Sequence, residues 1–284
     1  MAKSFSNSRI QMILVPVDYS VVSMNALTYA VKLAEHLKAG ITLLHIYSIP
    51  LPDPDSPITV IAEQMEMRSE FQIEKLRQAL EKQTMGKVPV TAISRMGFII
   101  REEICAEIKR SHADLVVMGI TGAGKRTNIL MGSNTTSLLK KTKCPVLIVP
   151  EKARFRPIRV IAFACDEEKF LPGKFTRVLG PLVHVFKSSL LVLNIQKSEA
   201  GYEAGKAEAV PFKTRGELAS FHPSYYFSVS GQMEPELQLF IKKNKANLLV
   251  MVPHVRNLLS NLFHKSNTRS MAFHTHIPLL SIHE

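Results

Sequence analysis

Apolar runs and helical stripes alternate along the first half of the chain. The run Ile10 to Val17 predicts a strand that ends at the turn Asp18-Tyr19-Ser20. Ala26, Ala30, Leu33 and Leu37 then recur at helical spacing, and Gly40 is placed to cap the end of that helix. Ile41 to Ile49 reads as the next strand. Pro50-Leu51-Pro52-Asp53-Pro54-Asp55-Ser56-Pro57 reads as a loop, because its prolines lack N–H donors and push their predecessors out of the helical region. A long charged helix follows over Ile58 to Thr84, with Ile73, Leu76 and Leu80 along one side. Val88 to Arg95 predicts a strand, Ile100, Ile104 and Ile108 mark a helix, and Leu115 to Met118 is a short, wholly apolar strand. A glycine-rich loop then leads to a helix around Ser133 to Lys141 and a last strand, Val146 to Val149. Strands separated by helices imply an α/β fold with a parallel sheet, right-handed crossovers and helices on both faces. Ligands of such sheets bind beyond the carboxyl ends of the strands.

The second half repeats the first. Ala113-Asp114-Leu115-Val116-Val117-Met118 matches Ala246-Asn247-Leu248-Leu249-Val250-Met251 at an offset of 133 residues (246 minus 113). Ser133-Asn134-Thr135 matches Ser266-Asn267-Thr268, and Pro145 matches Pro278, at the same offset. Ile13 to Asp18 resembles Ile161 to Asp166. The architecture predicted is two tandem, open, parallel five-stranded sheets, in domains 1–153 and 154–284, joined near Glu151 to Pro157.

Composition agrees with two self-sufficient domains. The chain has 284 residues, 46% of them hydrophobic and 21% charged, with a mean hydropathy of +0.06. A disordered or collagenous chain is excluded, and each half can bury a core without staples. Cys105, Cys144 and Cys165 show neither CxxC nor zinc-knuckle spacing, so a reducing cytoplasm is the simplest compartment. Neither a leader's apolar run nor a membrane-span-length stretch is found, and no membrane partner is expected. The net charge of +12 suggests anionic partners. Because the excess is spread over both halves, solvated Lys and Arg are the favoured reading of it over a nucleic-acid surface.

The densest chemistry lies in the stretch from Gly119-Ile120-Thr121-Gly122-Ala123-Gly124-Lys125-Arg126 to Gly132-Ser133-Asn134-Thr135. It leaves an apolar strand and enters a helix whose N-cap is Ser133. Glycines let main-chain N–H groups converge on an anion, the helix start adds uncompensated donors, and Lys125 and Arg126 raise the local potential. A phosphate site therefore has a physical basis here. A P-loop NTPase or phosphotransferase is the rival enzyme reading, since Gly119, four residues and Gly124-Lys125 nearly satisfy the Walker A pattern. Arg126, however, stands where that motif needs a magnesium-binding hydroxyl, and the loop follows the fourth strand. A nucleotide-independent binding module is the third reading, resting on the basic balance.

Gly119-x2-Gly122-x9-Gly132-Ser133, together with Pro16-Val17-Asp18-Tyr19-Ser20 and His45-Ile46, resembles the universal stress protein family in its tandem two-domain form. The resemblance covers the first domain well and the second mainly at its ends. It implies an adenine nucleotide alpha hydrolase-like fold with Rossmann- or flavodoxin-like layering, and ATP, with or without magnesium, as cofactor. It further implies that Pro16, Val17 and Asp18 meet the adenosine end and that Ile46 forms an apolar wall of the base pocket. Gly119 and Gly122 would approach ribose and phosphates, and the backbone at Gly132, Ser133 and Asn134 would hold the phosphate tail. Taken alone, Asp18 also fits a turn or N-cap residue and Ile46 an ordinary core position. Pairing of the final strands, Val146 to Val149 with Leu279 to Ile282, and a possible homodimer are implied in the same way.

The second domain departs from the pattern. Val252, Val255 and Lys265 stand at the positions of Gly119, Gly122 and Gly132, although Ser266 and Asp166 remain. β-branched residues there restrict the backbone, so this copy is expected to be degenerate and structural. His254, His264, His274, His276 and His283 raise a metal site as an alternative, but helix capping accounts for the His274-Thr275-His276 pair. No side-chain grouping carries a nucleophilic signature or activates a water, so neither catalytic residues nor metal ligands are assigned. The expectation is a cytoplasmic, ATP-binding regulatory or protective protein with at most slow hydrolysis.

Overall fold

The computed structural model describes residues 9–49, 58–120, 133–139, 141–165, 172–196, 218–229, 233–252 and 277–282. They belong to two compact units that divide after Cys144. The first contains β1 (Met12–Pro16), α1 (Val21–Leu37), β2 (Gly40–Tyr47), α2 (Ile58–Thr84), β3 (Val90–Met96), α3 (Ile100–Arg110), β4 (Leu115–Gly119) and α4 (Ser133–Leu139). Its strands run in the order β3-β2-β1-β4 and every pairing is parallel.

The second unit begins at Pro145 and holds β5 (Val146–Val149), β6 (Val160–Cys165), α5 (Pro172–Phe186), β7 (Ser189–Gln196), β8 (Ser224–Val229), α6 (Met233–Lys243), β9 (Leu248–Met251) and β10 (Leu279–Ser281). Its order is β5-β10-β9-β6-β7-β8. The pairings of β10 with β9, β9 with β6, β6 with β7 and β7 with β8 are parallel, whereas β10 meets β5 antiparallel, with Leu280 opposite Leu147. The final strands of the two repeats thus pair with each other.

Central strands are apolar on both faces, as parallel strands covered by helices must be. Ile13, Leu14, Val15, Leu115, Val116 and Val117 in β1 and β4 are buried, as are Leu248, Leu249, Val250 and Met251 in β9. α1 begins on Ser20, whose side chain accepts from the Ser23 N–H at 3.2 Å, and it buries Ala26, Ala30 and Leu33. Gly40 does not cap α1. The helix ends on Lys38, left-handed at φ 55° with its N–H bonded to the Ala34 carbonyl, and Gly40 opens β2 with its N–H donated to Gln11. A lysine takes that conformation at modest cost because the closing hydrogen bond repeats the helical pattern. α2 packs one side through Ile73 and Leu80 and leaves the other to the ion pairs of Arg77 with Glu74 and Glu81. No helix among the described residues is long and apolar enough to cross a membrane.

The two repeats share a hydrogen-bond device. Asp114 Oδ2 accepts from the backbone N–H groups of Gln11 and Met12 at 2.7 and 3.1 Å. Asn247 Oδ1 accepts from Arg159 and Val160 at 2.9 and 3.0 Å. In each repeat one side-chain oxygen, just before the fourth strand, holds the two donors that lead into the first. Asp114→Ala should therefore lower unfolding free energy by about 1–3 kcal/mol in a urea titration, because two N–H groups lose their acceptor. Asp114→Asn should retain most of the stability, since Asn247 does the same work in the second repeat.

Candidate functional site

The strand order of the first unit selects a crevice. From β1 the chain moves outward through β2 to β3, then crosses back through α3 to β4 on the other side of β1. The topological switch point is therefore between β1 and β4, where diverging connections leave room beyond the carboxyl ends. Those ends carry Pro16, Val17 and Asp18 on one side and Gly119 on the other. Four of the residues singled out in the sequence are thus brought to one place.

The turn after β1 is tightly determined. Val17 is buried and donates its N–H to the Leu44 carbonyl at 2.8 Å, while Pro16 is half-buried. Asp18 is exposed, and its Oδ1 accepts from the Ser20 N–H at 3.1 Å and the Ser20 hydroxyl at 2.6 Å. Ser20 is at the same time the cap of α1, so Asp18 is oriented by the residue that starts the helix. Between them Tyr19 is held at φ 61°, a left-handed conformation a tyrosine rarely adopts. Its ring lies 4.7 Å from that of His45, tilted by 56°, and partial burial raises the phenol's pKa.

His45 Nδ1 lies 2.8 Å from the Val17 carbonyl. A carbonyl only accepts, so Nδ1 carries the hydrogen of this bond. In the sequence His45 reads only as a strand end and Tyr19 only as a turn residue. The contact that pairs them lies across two strands and leaves no spacing signal.

Ile46 is half-buried and, by strand alternation, faces away from His45. His45 is opposite Ser94, whose hydroxyl meets Ser69 of α2 at 2.5 Å, so His45 faces α2. Ile46 is opposite Arg95, which reaches Glu107 of α3 at 3.6 Å, so Ile46 faces α3.

Gly119 is required by packing. A Cβ there would stand 2.5 Å from Val22 Cγ1 and 3.1 Å from the Val22 carbonyl oxygen, because the first turn of α1 lies directly against the end of β4. The Gly119 carbonyl accepts from the buried Thr135 hydroxyl at 3.2 Å, which ties the start of α4 to the same strand end. Ser133 is the first residue of α4, and Asn134 beside it is exposed. Gly122, Gly132, Lys125 and Arg126 lie outside the described residues, as does the Ser133 side chain. In the second repeat Val252 is buried, while Asp166, Val255, Lys265, Ser266 and the histidines 254, 264, 274, 276 and 283 lie outside the described residues.

Cys144 is buried and its thiol is pushed up to about 12, chiefly by desolvation, while Cys105 is half-buried and raised for the same reason. Neither has thiolate character at neutral pH. Among the described residues no group of three His, Cys, Asp or Glu side chains is arranged to hold a metal ion.

The family model described as "Universal stress protein family" matches residues 9–150. A universal stress protein of Methanocaldococcus jannaschii is 31% identical over 141 residues, which cover 48% of this chain and 80% of that protein. The crystal structure of a universal stress protein from Archaeoglobus fulgidus is similar over 98% of both chains, with a TM-score of 0.69 at 17% identity. A functionally unknown protein from Pseudomonas aeruginosa is similar over 96% of this chain and 92% of its own, with a TM-score of 0.62 at 17% identity. At these identities the two structures speak to the fold, a mostly parallel α/β sheet, and that agrees with the expectation from sequence.

The contact at Gly119 has a measurable consequence. Gly119→Ala should destabilise the protein by about 1–3 kcal/mol, the usual cost of forcing atoms into a packed site. Adding Val22→Ala should recover only part of this in thermal or chemical unfolding, because the Val22 carbonyl remains 3.1 Å from the new Cβ.

Proposed function

The chain belongs to the universal stress protein family, and on that premise we propose that its first repeat binds ATP in the crevice between the carboxyl ends of β1 and β4. The observation that carries this reading is the coincidence of two independent features. The switch point of the sheet lies at Pro16-Val17-Asp18 and Gly119, and Gly119 is also the first fixed position of the Gly119-x2-Gly122-x9-Gly132-Ser133 pattern. A phosphate-binding loop leaving the strand that borders the crevice is what nucleotide sites of open α/β sheets require.

In this reading Pro16, Val17 and Asp18 meet the adenosine, with the Asp18 carboxylate accepting from ribose or base, and Ile46 borders the base. Gly119 and Gly122 let the main chain approach ribose and phosphates, and the backbone at Gly132, Ser133 and Asn134 holds the phosphate tail, with or without magnesium. His45 and Tyr19 act by fixing the β1 end. The working domains are residues 1–153 and 154–284, the bounds of the repeat. The second, with Val252, Val255 and Lys265 in place of the loop glycines, serves as a structural partner. In this reading any ATP hydrolysis is slow, and the role is regulatory or protective in the cytoplasmic response to stress, as monomer or homodimer.

Equilibrium binding of labelled ATP tests the proposal. Saturable binding at about one nucleotide per chain is expected, with a loss of roughly ten-fold or more for Gly122→Val combined with Gly132→Lys, which copies the second repeat's residue types into the first. Absence of saturable binding by the unaltered chain, or undiminished binding by the double variant, rejects it. Rapid magnesium-dependent turnover abolished by Lys125→Ala would instead favour a P-loop enzyme.

A further inference from the structure

A small open-sided cavity lies at the end of β3, outside the residues assigned above. Met96, Gly97, Phe98 and Ile99 supply its walls and Glu102 and Glu103 its rim, and its volume is about 240 Å³. Complete small-molecule sites run to roughly 300–1,000 Å³, so this space suits one ring system rather than a whole nucleotide. Phe98 and Ile99 are 75% and 50% exposed, so much of this apolar surface is open to solvent.

The cavity adjoins Ile46. The point where a Cβ of Gly97 would sit is 3.3 Å from Ile46 Cγ2 and 3.2 Å from the carboxyl carbon of Glu103. The glycine's missing side chain leaves open the space that these two groups border, one from β2 and one from α3. Glu102 is engaged by Arg101 at 3.1 Å, whereas no hydrogen bond or ion pair occupies the Glu103 carboxylate among the described residues.

We propose that this cavity receives the amino-bearing edge of the base, with Phe98 and Ile99 as its apolar floor and the Glu103 carboxylate accepting from the exocyclic amine. The inference rests on the nucleotide reading above and adds a residue that selects among bases. The chemistry of the space favours this occupant. A carboxylate rim repels phosphate, which puts the polyphosphate elsewhere, and it rewards a neutral planar ring that offers N–H donors. A hydrogen bond to a charged acceptor is stronger than one between neutral groups, so a single carboxylate can discriminate a base with the amine from one without it.

The test compares ATP with purine riboside 5′-triphosphate, which lacks only the exocyclic amine. The unaltered chain should bind ATP about ten-fold or more tightly than the analogue. Glu103→Ala should bring the two affinities to within about two-fold by weakening ATP while leaving the analogue unchanged, a pattern that loss of helix stability alone would not produce. Glu103→Gln, which keeps the size and a carbonyl acceptor, should retain part of the preference. A preference undiminished in Glu103→Ala, or one that collapses in Glu102→Ala instead, overturns the assignment while leaving ATP binding intact. Failure of the unaltered chain to bind either nucleotide removes the nucleotide reading and this inference with it.

Discussion

One side-chain oxygen in each repeat determines where everything else can go. The N–H groups that lead into β1 would lack a partner at the sheet's amino edge without Asp114 Oδ2, and those before β6 without Asn247 Oδ1. The same two residues donate their own N–H groups back to Met12 and Val160 at 2.9 and 2.8 Å, so each first and fourth strand are locked in one register. A slip of one residue would exchange the two covered faces of β1, setting Leu14 where Ile13 and Val15 now pack. With the amino edge pinned, the carboxyl ends of β1 and β4 are brought side by side, and the crevice between them follows.

Against that shared skeleton the two repeats differ where ligands would be met. The helix ends agree closely: Lys38 and Lys187 both take a left-handed φ, 55° and 52°, and so do His112 and Lys245, at 51° and 53°. At the strand ends the agreement stops. Asn194, 1% exposed, occupies the β7 position of His45, and a buried Val252 replaces Gly119. The second repeat thus keeps the hydrogen-bond frame of the sheet and differs at positions 194 and 252, where the first has His45 and Gly119.

Much of the fold was legible because its signals are local. The span of α2 and that of β5 agree with their sequence bounds, since long amphipathic periodicity and short apolar runs flanked by breakers are properties of adjacent residues. Gly40 was misread because glycine after a helix so often caps it, and only the Lys38 hydrogen bond distinguishes the two cases. Within the site, Gly119 was legible from its place at the head of the glycine-rich loop, and Pro16, Val17 and Asp18 from the family resemblance. The tilted Tyr19–His45 ring contact, the Val22 contact that demands a glycine at 119, and the approach of Glu103 and Ile46 to the space over Gly97 were not. Each joins elements distant in sequence, and one-dimensional periodicity does not report such contacts.

The antiparallel seam between β5 and β10 brings time into the picture. Leu147 and Leu280 face each other across it, yet the ribosome makes them 133 residues apart (280 minus 147). At about 5–20 residues per second, β5 exists for roughly 7–27 seconds before its partner has been made. Through that interval the edge that will receive β10 is an open row of apolar residues and unpaired backbone groups, a template for any strand nearby. β10, the last-made of the described strands, is thus the one that pairs with β5, and its loss would leave Val146–Val149 exposed on that side.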